Sequence, residues 1–136
     1  MEYLRFGEVE IVVKASGEET GGALAVFEEN EPVDTGLHVH EREDELFYVL
    51  DGEHVFTVGD TEHHAGPGDL VFAPRGVPHA QRRVVPRTGR TLVLTAPAGL
   101  EGFFRELADA ERAGVLGPDA YGRASRNYGI TWLESP

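Results

Sequence analysis

Leu37-His38-Val39-His40-Glu41-Arg42-Glu43-Asp44-Glu45-Leu46-Phe47-Tyr48-Val49-Leu50-Asp51-Gly52 is the stretch on which the reading of the fold turns. On a strand, residues two apart point to the same face, so His38 and His40 can present both imidazoles to one ion. Glu45 to Leu50 is rich in aromatic and β-branched residues, and Asp51-Gly52 ends the run as a turn. Glu45 heads that apolar strand. A carboxylate there is costly unless something positive meets it, and an ion on His38 and His40 would do so.

Working outward, the same period of two recurs between about residues 9 and 96. Val9, Ile11 and Val13 alternate with Glu10 and Val12, and His54, Phe56 and Val58 alternate with Glu53, Val55 and Thr57. Ala23 to Phe27, Asp69 to Ala73 and Thr91 to Thr95 are short apolar runs. The breaks are Gly59-Asp60, Gly66-Pro67-Gly68, Pro74-Arg75-Gly76 and Thr88-Gly89. Short strands between frequent turns predict an all-β sandwich or barrel. After Pro97 the period changes. Glu101 to Ala113 reads as one helix, with Phe103, Phe104, Leu107 and Ala110 on one face and Glu101, Arg105, Asp109 and Arg112 off it. That helix should cover an open part of the barrel and stop at Gly114. Tyr121, Tyr128, Ile130, Trp132 and Leu133 make the tail apolar enough to pack on the barrel.

Composition narrows the function. The 136 residues make one domain. Lys plus Arg is 12 against 24 for Asp plus Glu, a formal charge of −12, which argues against nucleic acid and anionic lipid as partners. Apolar runs of only a few residues predict no membrane span, and Met1-Glu2-Tyr3-Leu4-Arg5 lacks the marks of a signal peptide, so a cytoplasmic location is expected. With no cysteine, disulfides, thiolate zinc sites and cysteine nucleophiles are excluded. A metal site must use His, Asp or Glu. His79 follows the rigid turn Pro74-Arg75-Gly76-Val77-Pro78, which fixes where its ring points. Three imidazoles and one carboxylate suit Fe, Mn, Ni, Co, Cu or Zn, and do not suit calcium or magnesium.

The punctuation around both histidine segments resembles the cupin signature. His38-x-His40, four residues, Glu45, six residues and Gly52 is similar to the first cupin motif. Gly68, five residues, Pro74-x-Gly76, two residues and His79 is similar to the second, and 15 residues separate Gly52 from Gly68. Two positions depart from the family pattern: Pro32 stands where a glycine is common, and Arg83 where an asparagine is common. The resemblance covers roughly residues 20–96 and implies a cupin-type jelly-roll β-barrel, here with one C-terminal helix, in a single domain over 1–136 whose helix and packed tail occupy 97–136. It implies one divalent transition metal ion on His38, His40, Glu45 and His79. Edges of jelly-roll sheets often pair, so a homodimer is expected by analogy.

Pro97-Ala98-Gly99-Leu100-Glu101-Gly102-Phe103-Phe104-Arg105-Glu106-Leu107 and the later Tyr128-Gly129-Ile130 resemble the tail of small bacterial cupins of the quercetin-dioxygenase-like group. That likeness implies a metal-dependent dioxygenase acting on a phenolic or enolic, flavonol-like small molecule, with Glu45 also serving as the base. A redox-silent isomerase, lyase or polyketide-type cyclase is the second possibility, with Glu45 or His54 moving protons. A non-catalytic small-molecule binder is the third. Strand parity places Phe47 and Val49 beside Glu45, and His54 and Phe56 on a neighbouring strand, as lining of the substrate pocket. Gln81 shares parity with His79 and is expected to hold a ligand or water. His63, His64 and the run Glu41-Arg42-Glu43-Asp44 are expected in solvent, as are Arg82, Arg83, Arg87 and Arg90.

Overall fold

A computed structural model describes residues 1–135. The chain runs β1 (Glu2–Phe6), β2 (Val9–Ala15), α1 (Gly17–Thr20), β3 (Ala25–Asn30), β4 (His38–His40), β5 (Asp44–Asp51), β6 (His54–Val58), β7 (Thr61–Ala65), β8 (Leu70–Ala73), β9 (His79–Arg83), β10 (Arg90–Ala96), α2 (Leu100–Arg112), α3 (Pro118–Tyr128) and β11 (Ile130–Trp132). Two antiparallel sheets result. One has six strands in the order β1-β2-β3-β10-β5-β8, and the other has five in the order β11-β4-β9-β6-β7. Among the described residues no ladder joins them, so the expected barrel is a two-sheet jelly roll and is not closed by hydrogen bonds.

Alternation decides which side chains meet between the sheets. On β10, Thr91, Val93 and Thr95 are buried while Arg90 is exposed and Leu92 and Leu94 are half-buried. Phe27 and Val49 from the six-stranded sheet and Phe56 from the other are almost completely enclosed. Phe47 and Phe56 bridge the layers with ring centroids 4.8 Å apart. Each such side chain contributes about 2–3 kcal/mol of apolar burial. β1 was not anticipated, although Leu4 and Phe6 are buried and Tyr3 and Arg5 exposed in the same alternation. α1 was not anticipated either; at four residues it is too short to show a period. No helix of the described residues is long and apolar enough to cross a membrane.

The C-terminal part holds two helices where one was expected. α2 begins one residue earlier than predicted, and Glu101, placed off its apolar face, is buried. The reason is local: Glu101 accepts hydrogen bonds from the Gly17 N–H and the Gly99 N–H, both at 2.7 Å, and so ties α1 to the start of α2. α3 was missed because its apolar positions are mainly alanines, yet Pro118 in its first turn and left-handed Gly129 at its end are start and stop signals. The tail then pairs as β11 along β4, with Ile130 opposite His40 and Trp132 opposite His38. Leu133 alone of the predicted tail contacts is exposed. Phe104 of α2 stacks on Phe6 at 6.0 Å and meets Phe27 edge-on at 5.1 Å, so the helices close one end of the space between the sheets.

Helices α2 and α3 pack tightly at Gly102, where a Cβ would collide with the Tyr128 side chain. Gly102→Ala raises helix propensity by about 1 kcal/mol. The collision costs about 1–3 kcal/mol in an overpacked site, and this outweighs the gain. Denaturant unfolding should therefore show Gly102→Ala less stable than wild type; equal or greater stability would show that the two helices separate freely.

Candidate metal centre

β4 carries His38 and His40, and β9 pairs with it so that His79 lies opposite His38. The three buried imidazoles offer ring nitrogens all within 4.8 Å of one another. Glu45, at the head of β5 in the facing sheet, brings Oε1 to 3.0 Å from His79 Nε2 and 3.4 Å from His40 Nε2. The structure thus brings together all four residues expected to ligate.

Each ring is oriented through its other nitrogen. His38 Nδ1 lies 2.7 Å from the Gly36 carbonyl, His40 Nδ1 lies 2.8 Å from Glu43 Oε1, and His79 Nδ1 lies 3.4 Å from the Val77 carbonyl. Such contacts fix the tautomer and leave Nε2 as the donor nitrogen, the usual arrangement behind a metal-bound histidine. Trp132 backs His38 with ring centroids 4.6 Å apart. Glu43 was expected in solvent but is only 2% exposed. The bend after His40 carries Glu43 under the ring, while its neighbours Glu41 and Arg42 remain outside.

The charges fit a cation. Burial raises the Glu45 carboxyl, but His40, His79 and His38 outweigh it and hold the group down at about 2. Burial works against protonation of His40, and Glu45 and Glu43 together overcome it, so its pKa lies above the ordinary value. Burial, and then the neighbouring His79, lowers His38 to about 4, which keeps its lone pair free. Two buried carboxylates around one imidazole call for positive charge, and three imidazoles with one facing carboxylate are a transition-metal donor set.

Beside this cluster is a cavity of about 120 Å³. Its wall is mainly apolar and rich in rings, with Phe6, Phe27, Phe47, Phe103, Phe104, Tyr121 and Trp132, and among the described residues no lysine or arginine lines it. Gln81 is on the wall, but its amide serves Glu29, donating to Oε1 at 3.1 Å and to the Val33 carbonyl at 3.0 Å. Glu29 also lines the cavity at 8% exposure, and burial pushes its carboxyl up to about 7. Its signal in the sequence was parity with Ala25 and Phe27 on β3, masked by the polar run that follows.

Three expected pocket residues lie off that wall. Val49 is in the core two residues beyond Phe47, and Phe56 fills the core against Phe47. His54 is buried at the opposite end, where it donates from Nε2 to the Asp51 carbonyl at 3.1 Å. Its ring occupies the space left by Gly89, whose Cβ would come within 2.8 Å of it. His63 and His64 are exposed, as are Arg82, Arg87 and Arg90, with Arg83 half-buried.

His38→Ala, His40→Ala and His79→Ala should each lower metal content in elemental analysis while leaving the far-UV spectrum unchanged; full occupancy in two of the three would remove the assignment. Glu43→Gln should weaken metal affinity about 10–100-fold in chelator competition, the usual cost of losing an outer partner. For Glu29 the sign follows from its raised pKa. The unfolded carboxyl ionises near 4.5 and the folded one near 7, so its contribution to stability is complete below pH 4.5 and is lost as pH rises to 7. Glu29→Gln cannot lose a proton. Between pH 4.5 and 8, unfolding of chelator-treated protein should show the variant gaining on wild type by about 3 kcal/mol. Parallel pH profiles would contradict this.

Residues 23–94 match the family model described as a cupin domain. No sequence match was found among curated proteins. Among solved structures, TT1209 from Thermus thermophilus is 30% identical with a TM-score of 0.58, over 68% of this chain and 89% of that one. A predicted oxalate decarboxylase from Thermotoga maritima is 29% identical with a TM-score of 0.57, over 67% and 82%. KdgF from Halomonas sp. has a TM-score of 0.63 at 18% identity, over 74% and 92%, and shows the fold alone. Matching motifs, matching topology and a family match over more than half of its length together make this chain a member of the cupin family.

Proposed function

We propose that this cupin is a metal-dependent dioxygenase acting on a small phenolic or enolic molecule. The aromatic, cation-free wall beside His38, His40, Glu45 and His79 carries this reading. Flat apolar side chains favour a planar, electron-rich substrate, and they keep bulk water from reactive species. A redox-capable ion on the histidines would relay electrons between such a ring and dioxygen. Both oxygen atoms end in the product, so the reaction needs no external reductant. Glu45 is ionised at ordinary pH and is the acceptor for the substrate's hydroxyl proton. Phe47 lies beside His79 at a centroid distance of 5.9 Å and would bound the ring on that side. An apolar cavity of roughly 150 Å³ takes up benzene. At about 120 Å³ this one favours a one-ring substrate over a three-ring flavonol.

A redox-silent isomerase, lyase or cyclase is supported by a different observation. Glu29 gives the cavity a second carboxyl able to exchange a proton near neutral pH. His54, the earlier candidate for that task, lies off the cavity.

Oxygen-electrode measurements on apo protein reconstituted in turn with iron, manganese, nickel, cobalt and zinc separate the two. Slow uptake with a catechol-like compound is expected for one or more of the first four and none for zinc. Glu45→Gln should keep part of its metal and lose turnover by about 10²-fold or more. No uptake with any metal, with zinc tightly held as isolated, would overturn the oxygenase in favour of the redox-silent enzyme.

A further inference from the structure

Apart from Thr35 and Tyr121, the polar side chains on the cavity wall fall in two places, and only one belongs to the candidate metal centre. The other is built from β3 and β9, where Glu29 and Gln81 meet across the two sheets. Gln81 is fixed at both ends. Its backbone N–H donates to Thr35 Oγ1 at 3.1 Å, and its two amide protons are committed to Glu29 Oε1 and the Val33 carbonyl. Its side-chain carbonyl is then its remaining group, an acceptor. Glu29 Oε1 accepts from Gln81 and the Val33 backbone also lies against the carboxyl, so the group it has left to give is its own O–H while it is protonated. A buried carboxyl is a poor choice for packing, since it costs desolvation that an apolar residue would not. On a wall of aromatic rings it introduces hydrogen-bonding capacity where a ligand would sit.

The pair has a definite chemical preference. Among the described residues no lysine or arginine lines the cavity to compensate an anion, and ionised Glu45 adds to the cost of a second negative charge there. Burial keeps Glu29 protonated to about pH 7, so it can donate as well as accept. Together Glu29 and Gln81 offer one donor and one acceptor side by side, the complement of a hydroxyl or a carbonyl.

We propose that Glu29 and Gln81 form a second subsite that holds a hydroxyl or carbonyl oxygen of a neutral ligand and excludes a carboxylate from the same place. The subsite extends the proposed function, because it assumes that the ligand occupies the cavity beside His38, His40, Glu45 and His79. It defines the substrate class more narrowly: a small ring or enol with two oxygen functions, one for each polar place.

The test is binding to zinc-loaded protein, where no turnover is expected. Calorimetry, with the fluorescence of Trp132 as a second readout, compares phenol, the three dihydroxybenzenes and the hydroxybenzoates. Trp132 is the single tryptophan and lines the cavity. At least one dihydroxybenzene should bind about tenfold tighter than phenol, the yield of one added hydrogen bond to a buried polar group, and the matching hydroxybenzoate should bind weakest. Glu29→Leu should abolish the preference for the second hydroxyl. Glu29→Gln, which also supplies a neutral donor and acceptor, should keep that preference with the hydroxybenzoate still weakest. Zinc content and far-UV spectra are measured for each variant, so a folding defect is recognised directly. Dihydroxybenzenes binding no tighter than phenol, or Glu29→Leu leaving the preference intact, would overturn the subsite whatever the oxygen-uptake result. The preference holding without oxygen uptake would overturn the oxygenase and leave the subsite standing. No binding by any probe would overturn both.

Discussion

Glu45 places a negative charge between two sheets whose other contents are mostly aromatic and aliphatic, at 5% exposure. Alone, such a carboxylate would take up a proton or distort the strand that carries it. Here His79 and His40 stand within 3.4 Å of it, and Glu43 fixes His40 from behind. This charge balance links the sheets electrostatically, since Glu45 comes from β5 and the imidazoles from β4 and β9. The parity that points Glu45 inward also points Phe47 and Val49 inward, so one register sets both the ion's donors and the core.

The four candidate ligands were legible because their geometry is local. His38 and His40 are two apart on one strand, Glu45 interrupts an apolar run, and His79 follows a proline-bounded turn. The jelly roll was legible from period-two alternation and turn residues. What stayed hidden depends on contacts between distant segments. Glu43 reads as one more acid in a charged loop, and only the bend after His40 takes it under the ring. Glu29 reads as the start of a solvated run, and only the facing β9 supplies Gln81. His54 was misplaced for the opposite reason. Its parity is inward as expected, but inward at that end of β6 means against Gly89, and the cavity is elsewhere.

The two carboxyls of the cavity differ through their neighbours. Both are buried and line the same cavity. Glu45 faces imidazoles and is held ionised, whereas Glu29 faces a neutral amide and keeps its proton to about pH 7. A single enclosed space therefore offers a permanent acceptor at one place and a group that can donate at the other. That division arises from one sheet supplying the carboxyls and the other choosing what each one meets.

β4 has only three residues, and β9 pairs with it at His38 alone. Its other edge is occupied by β11, some ninety positions later in the chain, with partners for His38, Val39 and His40. Loop-closure cost rises only slowly with length, so a partner this distant adds little to it. The strand that carries two of the ion's donors is thus held on one side at a single position and on the other along its whole length, by residues that also set Trp132 against the His38 ring at a centroid distance of 4.6 Å. A change at residues 130–132 would therefore reach the donors through the backbone of β4 without replacing a ligand.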